Sequence, residues 1–203
     1  MAIAVALSTA AAAAAQPVRQ DPATDHHGFW IGVGVGGGAL AIDCRSCGPE
    51  PRAAEWSSGR GRGLYVALGG TLRPNLLLGG EISTTGKGNV DRTASVGHMG
   101  IVAQLYPSRG RGLFVRGGLG IGIAELMDEP RGFVGSATLT TAGLSVKGGV
   151  GYDFRFGGRF ALTPFADAEQ LIGAGIRQTM NGVAYRGPTA PAALLVGLTA
   201  NWY

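Results

Sequence analysis

Ala192-Ala193-Leu194-Leu195-Val196-Gly197-Leu198-Thr199-Ala200-Asn201-Trp202-Tyr203 has a period of two. Side chains of an extended strand alternate between faces. Leu194, Val196, Leu198, Ala200 and Trp202 therefore share one face, and Leu195, Gly197, Thr199, Asn201 and Tyr203 share the other. A strand that is apolar on one face and ends in two aromatics suits the last stave of a transmembrane β-barrel. It offers apolar side chains to lipid and rings to the interface. By pairing with the first strand it also leaves no backbone edge unsatisfied in hydrocarbon.

The same period recurs upstream. Phe29, Ile31, Val33 and Val35 oppose Trp30, Gly32, Gly34 and Gly36; Leu64, Val66 and Leu68 oppose Tyr65, Ala67 and Gly69. Leu76, Leu78 and Ile82 oppose Leu77, Gly79 and Glu81, and Met99, Ile101, Ala103 and Leu105 oppose His98, Gly100, Val102 and Gln104. In the second half, Leu113, Val115, Leu119, Ile121 and Ile123 oppose Phe114, Arg116, Gly118, Gly120 and Gly122. Leu144, Val146, Val150, Tyr152 and Phe154 oppose Ser145, Lys147, Gly149, Gly151, Asp153 and Arg155. Phe160, Leu162, Ala166 and Ala168 oppose Thr163, Phe165, Asp167 and Glu169. With the terminal run, that makes eight strands. Several are about ten residues long, as a tilted membrane strand requires.

The links between them alternate. Arg73-Pro74-Asn75, Pro107 to Gly112 and Gly157-Gly158-Arg159 are short and rich in turn formers. Asp43 to Arg62, Thr84 to Ala94, Glu125 to Thr141 and Leu171 to Pro191 are longer. This is the connectivity of an all-β, eight-stranded antiparallel up-and-down transmembrane barrel with periplasmic turns and four long extracellular loops. A soluble barrel of the lipocalin kind would hide its apolar face and wet the other. Here Glu81, Arg116, Lys147, Asp153, Arg155, Asp167 and Glu169 share a face with glycines, while the apolar face is almost free of charge. Small and charged residues suit the narrow interior of an eight-stranded barrel, so these seven are expected to form an interior charge network.

The run Gly148-Gly149-Val150-Gly151-Tyr152-Asp153-Phe154-Arg155-Phe156 before a tight turn, with the terminal aromatic strand, resembles the small eight-stranded bacterial outer-membrane barrels, similar to the OmpA transmembrane domain and OmpX. The resemblance spans Gly28 to Tyr203 and implies a bacterial outer-membrane location. It also implies contact with outer-membrane lipid and lipopolysaccharide, and with the outer-membrane insertion machinery. In that family the terminal aromatic stands in phase with the apolar residues, whereas here Trp202 is in phase and Tyr203 is one position beyond. Phe29, Trp30, Tyr106, Phe160, Trp202 and Tyr203 all map to the turn end and are expected to be membrane-interface aromatics.

Composition agrees with one all-β domain in 203 residues: 45% hydrophobic, 15% charged and 37 glycines, the latter set within regular alternation. Residues 1–15 fit a secretory signal, apolar with small residues before Gln16, and export through the inner membrane is expected. Residues 16–27 are polar and aperiodic and read as a disordered periplasmic leader, leaving residues 28–203 as the barrel. The net charge of +4 is scattered rather than gathered into a basic run, so nucleic acid is not an expected partner.

Chemical motifs are few. Gly32 to Gly37 matches G-x-G-x-x-G, yet no helix pattern follows it. Cys44 and Cys47, in the first long loop of an exported chain, are expected to form a loop disulfide. His98 lies on the inward face, with Ser83 of the preceding strand and Glu81 as candidate partners for a lipid A-modifying hydrolase. The blander reading is a hydrogen-bonded interior histidine. Arg60, Arg62, Lys87, Arg92, Arg131, Arg177 and Arg186 lie in or beside the long links, where forked guanidiniums suit lipopolysaccharide phosphates. The expectation is a monomeric envelope protein with a structural or surface-interaction role, no catalysis, no metal and no cofactor. Its alternatives are a lipid A-modifying enzyme and a narrow ion-conducting, porin-like pore.

Overall fold

The computed structural model describes residues 28–43, 58–88, 92–108, 112–128, 137–156, 158–173, 177–180, 183–186 and 189–203. The signal and leader segments, Cys44 and Cys47, and Arg131 lie outside these residues. Eight strands form the staves: β1 (Phe29–Asp43), β2 (Gly59–Arg73), β3 (Leu76–Gly88), β4 (Arg92–Leu105), β5 (Leu113–Asp128), β6 (Ala137–Tyr152), β8 (Phe160–Ile172) and β11 (Thr189–Trp202). Short β7 (Phe154–Phe156) continues the sixth stave past Asp153, and β9 (Arg177–Met180) pairs with β10 (Val183–Arg186) as a separate hairpin. Each stave pairs antiparallel with its neighbour, and β11 pairs with both β8 and β1. Trp202 stands opposite Ile31 on one side and Phe160 on the other. The sheet is closed, so no stave keeps a free edge.

Alternation decides which way each side chain points. Val33, Val35, Leu64, Leu68, Ile82, Ile101, Leu119, Ile121, Val150, Val196 and Leu198 are exposed on the outside. In an aqueous protein so large a continuous apolar surface would be a liability. As a girdle facing hydrocarbon it is the requirement.

The staves are 13 to 16 residues long, more than the nine to eleven or so that cross a bilayer. One expected long loop is lost to this extension. β3 runs on to Gly88 and β4 begins at Arg92, with Gly88 opposite Thr93, so the link expected from Thr84 to Ala94 shrinks to residues 89–91. Thr84, Thr85, Lys87, Thr93 and Ser95 carry no apolar period. Ladder hydrogen bonds are made by backbone groups and do not need one. Three longer links remain at that end, around residues 44–58, 129–136 and 173–188.

Inward glycines make room for large neighbours. A Cβ on Gly151 would enter the Phe114 ring, which stands against it from the adjacent stave. Gly151→Val is expected to lose about 1–3 kcal/mol to overpacking. Outward Gly148, with no atom near its missing Cβ, should accept valine within about 0.5 kcal/mol. Urea unfolding of both variants in lipid vesicles reads the difference; equal losses would mean that the two faces have been assigned wrongly.

Candidate functional site: a layered barrel interior

The interior is filled in three levels. Nearest the short turns, Trp30, Tyr65, Tyr106, Phe114 and Phe165 pack with Leu77, Val102 and Leu195. Nearest the long links, Leu40, Ile42, Val96, Leu126 and Leu171 pack with Ala94, Ala124 and Ala193. Between them lie the ionic side chains.

Arg116 grips Asp167 with two parallel bonds, Nε to Oδ1 at 2.7 Å and Nη2 to Oδ2 at 2.5 Å. Its guanidinium lies over the rings of Tyr65, at 4.4 Å, and Phe165, at 4.7 Å. Lys147 Nζ sits 2.6 Å from Glu81 Oε1 and 3.1 Å from Asp167 Oδ2, and donates to Ser83 Oγ at 3.1 Å. His98 Nδ1 meets Ser145 Oγ at 2.8 Å, and that hydroxyl donates to Glu169 Oε1 at 2.9 Å. His98 Nε2 stands 3.7 Å from Glu81 Oε1, beyond hydrogen-bond length.

These partners meet across intervening staves, and glycine makes that possible. Arg116 on β5 and Asp167 on β8 both face Gly149 of β6 in register. A Cβ there would collide with the Asp167 carboxylate. His98 on β4 and Ser145 on β6 meet over β5, whose inward positions Gly118, Gly120 and Gly122 carry no side chain. Ser145 is the partner that the sequence hides, because Ser83 on the adjacent strand is the nearer serine to His98 along the chain. Ser83 does stand opposite His98 in register, but its hydroxyl is taken by Lys147. The glycine run on β5 was the available signal, because it lets a residue two staves away reach His98.

Of the seven residues expected in an interior charge network, Glu81, Arg116, Lys147, Asp153, Asp167 and Glu169 are buried inside the barrel. Asp153 anchors a second group near the turns. It accepts from Tyr106 Oη at 2.8 Å, Tyr203 Oη at 2.7 Å and Thr163 Oγ1 at 2.6 Å. Asn201 Nδ2 in turn donates to Thr163 Oγ1 at 2.7 Å. Arg155 departs from expectation: it is half-exposed on β7 and stacks over the Tyr203 ring at 5.1 Å. It lies just past Asp153, on the short strand that continues the sixth stave toward the turn.

The interface aromatics also divide. Phe29 and Trp202 are exposed on the outside, and Phe160 is half-buried against Trp202, with ring centroids 5.3 Å apart. Trp30 and Tyr106 are buried within, and Tyr203 packs against the inner aromatic level. These three are not interface residues. Height alone placed them at the rim, but strand phase turns them inward. Tyr203, one beyond the apolar phase, is drawn in by Asp153 instead of marking the membrane surface.

Among the described residues no group of His, Cys, Asp and Glu is arranged to hold a metal. Gly32 to Gly37 lies within β1, which continues as strand to Asp43, so these glycines do not form the strand-to-helix turn that the phosphate-binding motif needs.

No family model matches the chain, and no curated protein does. Solved structures do. Neisserial surface protein A aligns with TM-score 0.54 at 11% identity, over 86% of this chain and 96% of its own. Ail, the attachment invasion locus protein of Yersinia pestis, aligns with TM-score 0.51 at 12% identity, over 86% and 99%. The outer membrane protein OprG of Pseudomonas aeruginosa aligns with TM-score 0.50 at 14% identity, over 88% and 97%. The fold is that of the small eight-stranded outer-membrane barrels.

Proposed function

We propose, from that fold as premise, that the chain resides in a bacterial outer membrane as a plugged barrel. Its role is structural or one of surface interaction, carried by the segments around residues 44–58, 129–136 and 173–188. The observation that carries this reading is the filled interior. Ions trying to pass would meet an aromatic level, a paired charge level and an aliphatic level in turn. An eight-stranded barrel is just wide enough for side chains to fill it. Neutralised by Lys147 and Arg116, the carboxylates act as internal struts that hold four staves in register. Lipid, lipopolysaccharide and the insertion machinery are the partners this reading calls for, with the protein acting as a monomer after export. In planar bilayers the purified protein should give no steady conductance above bare lipid; a stable unitary current would overturn the plugged reading.

One observation favours a second reading. Ser145 Oγ lies 2.8 Å from His98 Nδ1, with Glu81 3.7 Å from the other ring nitrogen. That order resembles nucleophile, base and acid in a hydrolase, although the Ser145 hydroxyl donates to Glu169 and not to the ring. Against it, Ser145 and His98 are almost completely buried between the apolar levels, where no substrate carbonyl could approach the hydroxyl. Lipid A deacylation by the purified barrel, abolished in His98→Ala, would establish this second reading in place of the first.

A further inference from the structure

The apolar girdle differs in height around the barrel. Following paired residues from Ile31 across Leu68, Gly80, Ile101, Leu119, Val146, Gln170 and Ala192 returns to β1 at Ala41, nearer the long links. The staves are therefore tilted, and each residue of such a strand rises about 2.5 Å along the barrel axis. On the turn side the girdle ends evenly, with Phe29, Leu72, Leu105, Leu113, Phe156 and Trp202 all exposed outside. On the long-link side it does not. The outward apolar residues of β3 run from Leu76 to Ile82 and give way to exposed Thr84. Those of β4 run from Leu105 to Met99 and give way to Gly97 and Ser95. Each of these runs is about 15 Å tall. On β2, Arg62 follows Leu64, and the run from Leu72 is about 20 Å tall.

Elsewhere the run is twice as long. Outward positions are apolar, aromatic or glycine from Phe29 to Ala41 on β1, and from Phe156 to Leu144 on the sixth stave. Both runs are about 30 Å tall. The apolar band of a membrane barrel is about 25 Å tall, so the arc of β2, β3 and β4 falls short by about 5 to 10 Å. A rigid tilt of the barrel would correct this only by lifting the turn-side edge as well, and that edge is level. Covering the arc with full-length hydrocarbon would bury the Thr84 hydroxyl and press on the Arg62 guanidinium. A charge within the band is the most expensive outward residue a barrel can carry, whereas lipid adapts to a short apolar face at modest cost.

We propose that the arc of β2, β3 and β4 is a surface for thinned bilayer. Beside it the leaflet on the long-link side dips to the level of Thr84 and Gly97, while it keeps full height along β6, β11 and β1. This rests on the outer-membrane reading above and adds the side of the barrel and the kind of lipid shell, short or loosely packed acyl chains, that fits it. Gly97 and Leu144 make the comparison direct. Gly97 pairs with Ile123 and Ile123 with Ala142, and the climb over two staves brings the level of Gly97 back to Leu144. Both positions face outward at one height, one on the short arc and the other on the tall one.

Nitroxide labels on Gly97→Cys and Leu144→Cys test this, each made with Cys44→Ser and Cys47→Ser and refolded into phosphatidylcholine vesicles. A Cβ at Gly97 meets nothing nearer than 3.7 Å, so a cysteine fits there. Relative access of each label to oxygen and to a water-soluble nickel chelate gives its depth. The label at Leu144 should lie about 5 Å or more deeper than the label at Gly97. Labels on Leu72→Cys and Phe156→Cys should lie at equal depth. Thr84→Leu with Ser95→Leu lengthens the short face and should carry the Gly97 label toward the depth of Leu144. Equal depths at Gly97 and Leu144 would overturn the proposal. So would a difference between Leu72 and Phe156 as large as that between Gly97 and Leu144, which would mean a rigid tilt. A Gly97 label shielded from both reagents would also overturn it, by giving the arc to a protein partner. Failure of the outer-membrane reading itself would show separately, as a Leu144 label fully open to the nickel chelate.

Discussion

Lys147→Met should cost the barrel about 3–5 kcal/mol of unfolding free energy, the usual penalty for removing one partner of a buried ion pair. The Nζ atom is shared by Glu81 at 2.6 Å and Asp167 at 3.1 Å. Methionine fills much of the same volume but leaves Glu81 facing only His98, at 3.7 Å. Asp167 keeps its Arg116 grip, so the loss falls chiefly on Glu81. Adding Glu81→Gln to Lys147→Met should therefore recover a good part of the stability, because the uncompensated charge is gone. Urea titrations in lipid vesicles, followed by tryptophan fluorescence, give both numbers. A loss under about 1 kcal/mol for the single variant would mean that water reaches this level and that the interior is not sealed.

Leu119→Arg should cost about 2–4 kcal/mol, and Met127→Arg on the same stave only about 0–1 kcal/mol. Both side chains are exposed on the outer face of β5, Leu119 near its middle and Met127 near its long-link end. In water, two exposed positions would accept arginine almost equally, each within about 0.5 kcal/mol. In a bilayer, depth separates them, because a guanidinium at mid-height must either lose its hydration or drag water inward. Refolding the two variants into vesicles of the same lipid measures the difference. Equal tolerance would remove the hydrocarbon from around the girdle.

The faces of the staves were legible from the sequence because alternation is a local property. Leu194, Val196 and Leu198 could be set outside, and Leu195, Thr199 and Asn201 inside, from parity alone. Strand ends were not legible. The ladder from Thr84 to Gly88 is made by backbone groups under polar side chains, so the hydrophobic signal stopped before the strand did. Partners across the interior were hidden for a different reason. Arg116 and Asp167 are 51 residues apart in sequence and two staves apart in space, and they touch only because Gly149 lies between them. A rule that reads inward glycines as windows between non-adjacent staves would have found both that pair and His98 with Ser145. Tyr203 shows two cues in conflict, its position at the end of the chain against its phase along the strand. Phase prevailed, since Asp153 and Tyr106 offer its hydroxyl hydrogen bonds within the barrel.

A closed, bilayer-spanning barrel is the claim on which everything else depends, and gel mobility before and after heating tests it most directly. Purified in detergent and loaded without boiling, the closed barrel should stay folded in dodecyl sulfate and run ahead of the heated chain. A single band at the same position with and without heating, from a protein that stays in the aqueous phase when detergent is withdrawn, would contradict it.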